Sequence, residues 1–122
     1  MKTICCNAVF HVADLQRSLK FYQEILGFNV DFKWGEPNFY AGLSLGEVSL
    51  HIGSKYRFKN NTGHGHIYIT CDEVDSYYKD LSDKGVEIMG PIGDQDYGLR
   101  DFVISDPDGN SIGFGAEITK DS

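Results

Sequence analysis

Apolar positions along this chain change rhythm in a fixed order. Residues 4–12 are rich in small and β-branched types and read as a strand. Leu15, Leu19, Tyr22, Ile25 and Leu26 then recur at three- to four-residue steps, which predicts an amphipathic helix. Asp14 is placed to cap that helix and Gly27 to end it. Three short runs follow at 28–33, 39–45 and 48–52, the last two joined by a tight turn at Gly46-Glu47. The order predicted is β-α-β-β-β.

The second half repeats the order. Residues 66–71 alternate as a strand, Asp72 is a candidate cap, and Val74, Tyr77, Tyr78 and Leu81 line one helical face before Gly85. Runs at 86–89, 99–105 and 111–115 supply three more strands. Asp14, Ser18 and Gly27 match Asp72, Ser76 and Gly85 at an offset of 58, the mark of an internal duplication. The organisation expected is a single domain over 1–122, with module one at 1–53, a linker at 54–64 and module two at 65–118. The linker is polar and carries Lys55, Arg57 and Lys59. One helix covers only one face of a four-stranded sheet, so each module keeps a second face in need of a partner. The fold class expected is α+β: two tandem βαβββ modules forming a curved mixed sheet around a cleft lined by alternate strand residues.

A length of 122 residues with 41% hydrophobic content suits one compact core. The net charge of −7 argues against nucleic acid and anionic membranes as partners and favours cationic ligands. The N-terminus lacks the order of a secretion signal and no apolar run is long enough to span a bilayer, so a soluble, cytoplasmic protein is expected. Three cysteines make an odd count, and adjacent Cys5 and Cys6 on one strand would project to opposite faces. Together with Cys71 they read as small buried hydrophobes, without a disulfide framework. No nucleophile elbow, phosphate-cradling glycine loop, zinc-finger spacing or basic face is present.

The paired βαβββ order, Asp14…Ser18…Phe21-Tyr22…Leu26-Gly27-Phe28 and Asp106-Pro107-Asp108-Gly109-Asn110 together resemble the vicinal oxygen chelate superfamily. That superfamily includes glyoxalase, the fosfomycin-resistance enzymes, extradiol dioxygenases and the metal-free bleomycin-resistance proteins. The resemblance implies a divalent-metal site built from a His or Gln on the first strand, a Glu late in module one, a His opening module two and a Glu on the last strand. Those positions fall on Asn7, on His51 (Ser49 if the register slips), on His66 and on Gly113. Two plausible ligands remain and both carboxylates are missing. The resemblance therefore points to the metal-free, bleomycin-resistance-like branch, with no cofactor and no catalytic residue. His51 and His66 become hydrogen-bonding cleft residues, His11 shares the strand face of Asn7, and His64 is expected to be exposed.

Without a metal, such a cleft binds by shape, stacking and hydrogen bonds. Phe21, Phe28 and Phe114 read as core, whereas Phe32, Trp34, Tyr40, Tyr68, Tyr97 and Phe102 are candidates for the ligand surface. In the bleomycin-resistance-like branch aromatic side chains of these regions flank the bound drug, which by resemblance selects Phe32, Trp34, Tyr97 and Phe102. Asp31, Glu36, Glu47, Asp94 and Asp96 are placed to favour a cation near the cleft mouth. Arg100 either clamps a carboxylate or pairs with Asp101. The expected protein is a homodimer that sequesters a small aromatic or cationic molecule, the dimer covering open sheet edges. The alternative is a metal-dependent glyoxalase-like lyase, isomerase or thiol transferase that uses His51 and His66 with a further ligand from Glu117 or a second chain.

Overall fold

Residues 1–55 and 61–118 are described by a computed structural model of the chain. Arg57 and Lys59 of the linker lie outside the described residues. Module one runs β1 (Ala8–His11), α1 (Leu15–Lys20), a π-helical continuation (Phe21–Ile25), β2 (Asn29–Trp34), β3 (Tyr40–Leu45) and β4 (Val48–Gly53). Module two runs β5 (His66–Thr70), α2 (Val74–Asp83), β6 (Ile88–Asp94), β7 (Leu99–Ser105) and β8 (Ser111–Glu117). Each forms its own mixed four-stranded sheet, ordered β1-β4-β3-β2 and β5-β8-β7-β6. The first strand of each module pairs parallel with the last, and the other neighbours are antiparallel.

Strand alternation decides what is buried. Phe10, Ala41, Leu43, Leu50 and Ile52 of module one face the helical side, as do Ile69, Phe102, Ile104, Ile112 and Phe114 of module two. All join one core with Leu15, Leu19, Tyr22 and Leu81 from the helices. Strand β6 is longer than the run at 86–89 because it passes through Gly90-Pro91. It is an edge strand, where the missing proline N–H is tolerated, and its pairing with β7 shifts register twice. Among the described residues no helix is long and apolar enough to cross a membrane.

The duplication is real but its offset is not constant. Asp14 caps α1 through its side chain, accepting from the Arg17 N–H at 3.2 Å. In module two the cap residue is Glu73, not Asp72, and it sits in the left-handed region at φ 43° without a side-chain cap bond. Leu15 thus corresponds to Val74, an offset of 59, while Gly27 and Gly85 stand 58 apart. The π-helical segment absorbs the difference: the Leu26 N–H bonds to the Phe21 carbonyl at 3.1 Å, spanning one residue more than an α-turn. Cys5 and Cys6 precede β1 and are exposed, so neither is a buried hydrophobe, and Cys71 is half-buried.

The modules are joined through helices and turns. Tyr22 donates to Asp106 Oδ2 at 2.9 Å, and Arg17 pairs with Asp108 at 2.7 Å. The Asn110 side chain bonds the His11 carbonyl and the Gly65 N–H. Tyr77 donates to the Leu26 carbonyl at 2.7 Å. The β7–β8 turn can serve as this latch because Asp106 organises it, accepting from the N–H groups of Asp108 and Asn110 and from the Asn110 amide.

Candidate functional site

The sheet face opposite each helix carries the polar and aromatic side chains left over by the alternation. In module one, Tyr40 and His51 lie on neighbouring strands and share a 2.8 Å hydrogen bond between the phenol and Nδ1. Phe32 meets His51 edge-on at 5.4 Å and stacks on Tyr40 at 6.3 Å with 23° between the planes. Desolvation raises the Tyr40 hydroxyl pKa. The Phe32 ring lies flat on the backbone of Gly42, where a Cβ would come within 2.1 Å of Phe32 Cε1. Only glycine permits that approach.

Module two repeats the device. Tyr68 lies across Gly113 and Gly115, where a Cβ would meet ring atoms at 2.8 Å and the hydroxyl at 1.9 Å. Its hydroxyl donates to Asp101 Oδ2 at 2.8 Å, and the Tyr97 hydroxyl donates to the same oxygen. Desolvation first, and then the hydrogen bond to Asp101, raises the Tyr68 pKa; for Tyr97 the Asp101 hydrogen bond is the leading cause. Two phenols thus shield one carboxylate that is itself only 6% exposed. The rings stay open to solvent: Phe32 is 44%, Tyr68 40% and Tyr97 64% exposed. Trp34, at the end of β2, stands edge-on to Phe39 and is also exposed.

Two sequence candidates face the other way. Phe102 is buried, stacked on Phe114, and Arg100, of the same strand parity, points toward the start of α2. There Arg100 pairs with Asp75 and Asp94, not Asp101, which raises its pKa further. Neither reaches the open face. The residue that does is Asp101, which strand alternation opposite buried Phe102 would have located. Among the acidic candidates, Asp31 accepts from Ser44, Asp94 is taken by Arg100, Glu36 and Asp96 are exposed, and Glu47 lies at the β3–β4 turn, off this face. His64 is exposed, as expected.

The offset of 59 in the first strands sets Asn7 against His66, and the surroundings match: Ser49 donates to Asn7, and Ser111 Oγ lies 2.6 Å from His66 Nδ1. These residues do not fit a divalent ion. Gly113 offers no donor, and the Tyr68 ring occupies the place its side chain would take. His51 and His66 are engaged by Tyr40 and Ser111. No group of three or more His, Cys, Asp or Glu among the described residues is arranged to hold a metal.

A family model described as the glyoxalase/bleomycin resistance protein/dioxygenase superfamily matches residues 7–114. A lactoylglutathione lyase of Haemophilus influenzae is 27% identical over 119 residues, with 88% of each chain covered. A probable lactoylglutathione lyase of Synechocystis is 28% identical, covering 87% of this chain and 89% of its own. In fold, the chain is similar to a solved superfamily member from Sphaerobacter thermophilus, with a TM-score of 0.80, 24% identity, and 95% and 98% of the two chains covered.

Proposed function

Because this chain belongs to the glyoxalase/bleomycin resistance protein/dioxygenase superfamily, we propose that it is a binding member that holds a planar aromatic or cationic molecule without a metal. The carrying observation is Tyr68 lying over Gly113 and Gly115: a ring stands where the resemblance calls for a carboxylate ligand. A stacking surface has replaced a donor. Phe32 over Gly42 offers a second such surface, and Asp101 supplies negative charge beneath the phenols for a cation. The module contacts Tyr22–Asp106, Tyr77–Leu26 and Arg17–Asp108 use helix-side and turn residues, and among the described residues Phe32, Tyr68 and Tyr97 stay exposed on the open faces. A second copy, placing one chain's Phe32 face against the other's Tyr68 face, completes the pocket.

Thermal shift with 9-aminoacridine tests this reading. Binding at about a hundredfold excess over Kd adds about 2.7 kcal/mol, about 10 °C for a chain of this size. Phe32→Ala and Tyr68→Ala should each remove most of the shift, and sedimentation should show a dimer. No shift with the native chain, or one that survives both substitutions, overturns it.

The likeness to the two proteins named lactoylglutathione lyase favours a second reading, a lyase. It requires a donor set beyond His51 and His66. Firm retention of one nickel or zinc per chain after dialysis, with turnover of lactoylglutathione, would favour it over the binder.

A further inference from the structure

The duplication breaks its symmetry at the hairpin turns. Five residues, 106–110, separate β7 from β8, whereas Gly46 and Glu47 alone separate β3 from β4. The long turn reaches the start of α1 and is held there by Arg17 and Tyr22. At the offset of 59 their counterparts in α2 are Ser76 and Leu81, which have neither a cation nor a phenol to offer. The short turn leaves the equivalent space unfilled: a cavity of about 600 Å³ lies between the β3–β4 turn, the end of β5 and the first turns of α2.

Its floor is apolar, formed by Leu45, Val48, Ile69, Tyr77 and Phe114. Its rim is acidic, with Glu47, Asp72, Glu73 and Asp80. Asp80 pairs with Lys84, but Glu47, Asp72 and Glu73 have no ion pair among the described residues. Cys71 also lines the cavity, and its thiol pKa is raised by burial and then by the charge of Asp72. The volume is that of a small-molecule pocket. A neutral apolar guest would leave the rim charge uncompensated, and an anion would be repelled.

We propose that this cavity is a second binding site, separate from the aromatic open faces, for an amphiphilic cation whose apolar body rests on Leu45, Val48 and Phe114 while its ammonium group meets Glu47 and Glu73. The site exists because the Arg17 arrangement has no counterpart in module two. Occupancy there couples the β3–β4 turn to α2, just as the long turn is coupled to α1.

Cys71 reports on the site directly. In a Cys5→Ser/Cys6→Ser chain it is the sole cysteine, and its alkylation by iodoacetamide should slow at least fivefold with millimolar octylammonium but not with octanoate or octanol. Glu47→Gln with Glu73→Gln should raise the half-protecting concentration about fivefold. Ser76 is exposed, so Ser76→Arg supplies the missing cation without disturbing the core and should abolish protection. Phe32→Ala should leave protection intact, which separates failure here from failure of the open-face reading. Equal protection by octanoate, no protection at all, or protection that persists in Ser76→Arg overturns the proposal.

Discussion

Replacing Tyr22 by Phe removes one atom from the latch between the modules. The side chain is fully buried, and Phe keeps the edge-on contacts with Phe21 at 5.4 Å and Phe28 at 5.6 Å. Asp106 keeps its three other donors, from Asp108 and Asn110. The loss is therefore one hydrogen bond to a carboxylate, about 2 kcal/mol near neutral pH. The pH dependence makes the test sharper. Burial foremost, and then the charge of Asp106, hold the Tyr22 hydroxyl far above the ordinary tyrosine pKa. The folded chain keeps that proton at pH 11, while the unfolded chain releases it with a pKa of about 10. A raised folded pKa gives stability that is present below pH 10 and lost above it, so this group costs the native protein about 1.4 kcal/mol between pH 8 and pH 11. Tyr22→Phe has no such proton to lose. Urea unfolding at both pH values should show the gap between the two proteins shrinking from about 2 kcal/mol to under about 1 kcal/mol, with unchanged m. A gap that stays constant or widens would refute a buried, proton-retaining Tyr22–Asp106 bond.

Gly115→Ala should expel the Tyr68 ring and cost about 1–3 kcal/mol by overpacking; denaturation of the double variant should show that penalty vanishing in a Tyr68→Ala background. Glu73→Gly should stabilise the protein by about 0.5–1 kcal/mol in the same assay, since it relieves a left-handed backbone and removes no capping bond.

The strands and helices were legible because their apolar spacing is strong. Leu50 and Ile52 buried with Ser49 and His51 outward is alternation as the sequence writes it. The stacking faces were legible in part: Phe32, Tyr40, His51 and Tyr68 are where their parity sets them, and the ring-to-glycine contacts that complete them span separate strands, which no local pattern records. Aromatic or charged character alone does not place Phe102 and Arg100: their shared strand parity turns both away from the open face, and Asp101 between them takes the position beneath Tyr68 and Tyr97. Asp72 has a capping residue type, but α2 starts one residue later with Glu73 at its N-cap, because the extra residue that module one holds in its π-helical segment has no counterpart in module two. The cavity beside α2 had a visible signal, five turn residues in one hairpin and two in the other. Its meaning depends on which helix each turn meets.

The wider turn at Phe21–Ile25 lets the two halves differ in length without either losing its footing. A residue gained or lost in a strand would turn every following side chain inside out, whereas the same change within a helix is taken up as a local loosening of the coil. A comparison of the halves that slides them at the single step of 58 that joins Gly27 to Gly85 will accordingly set Asn7 beside Gly65 and hide its kinship with His66.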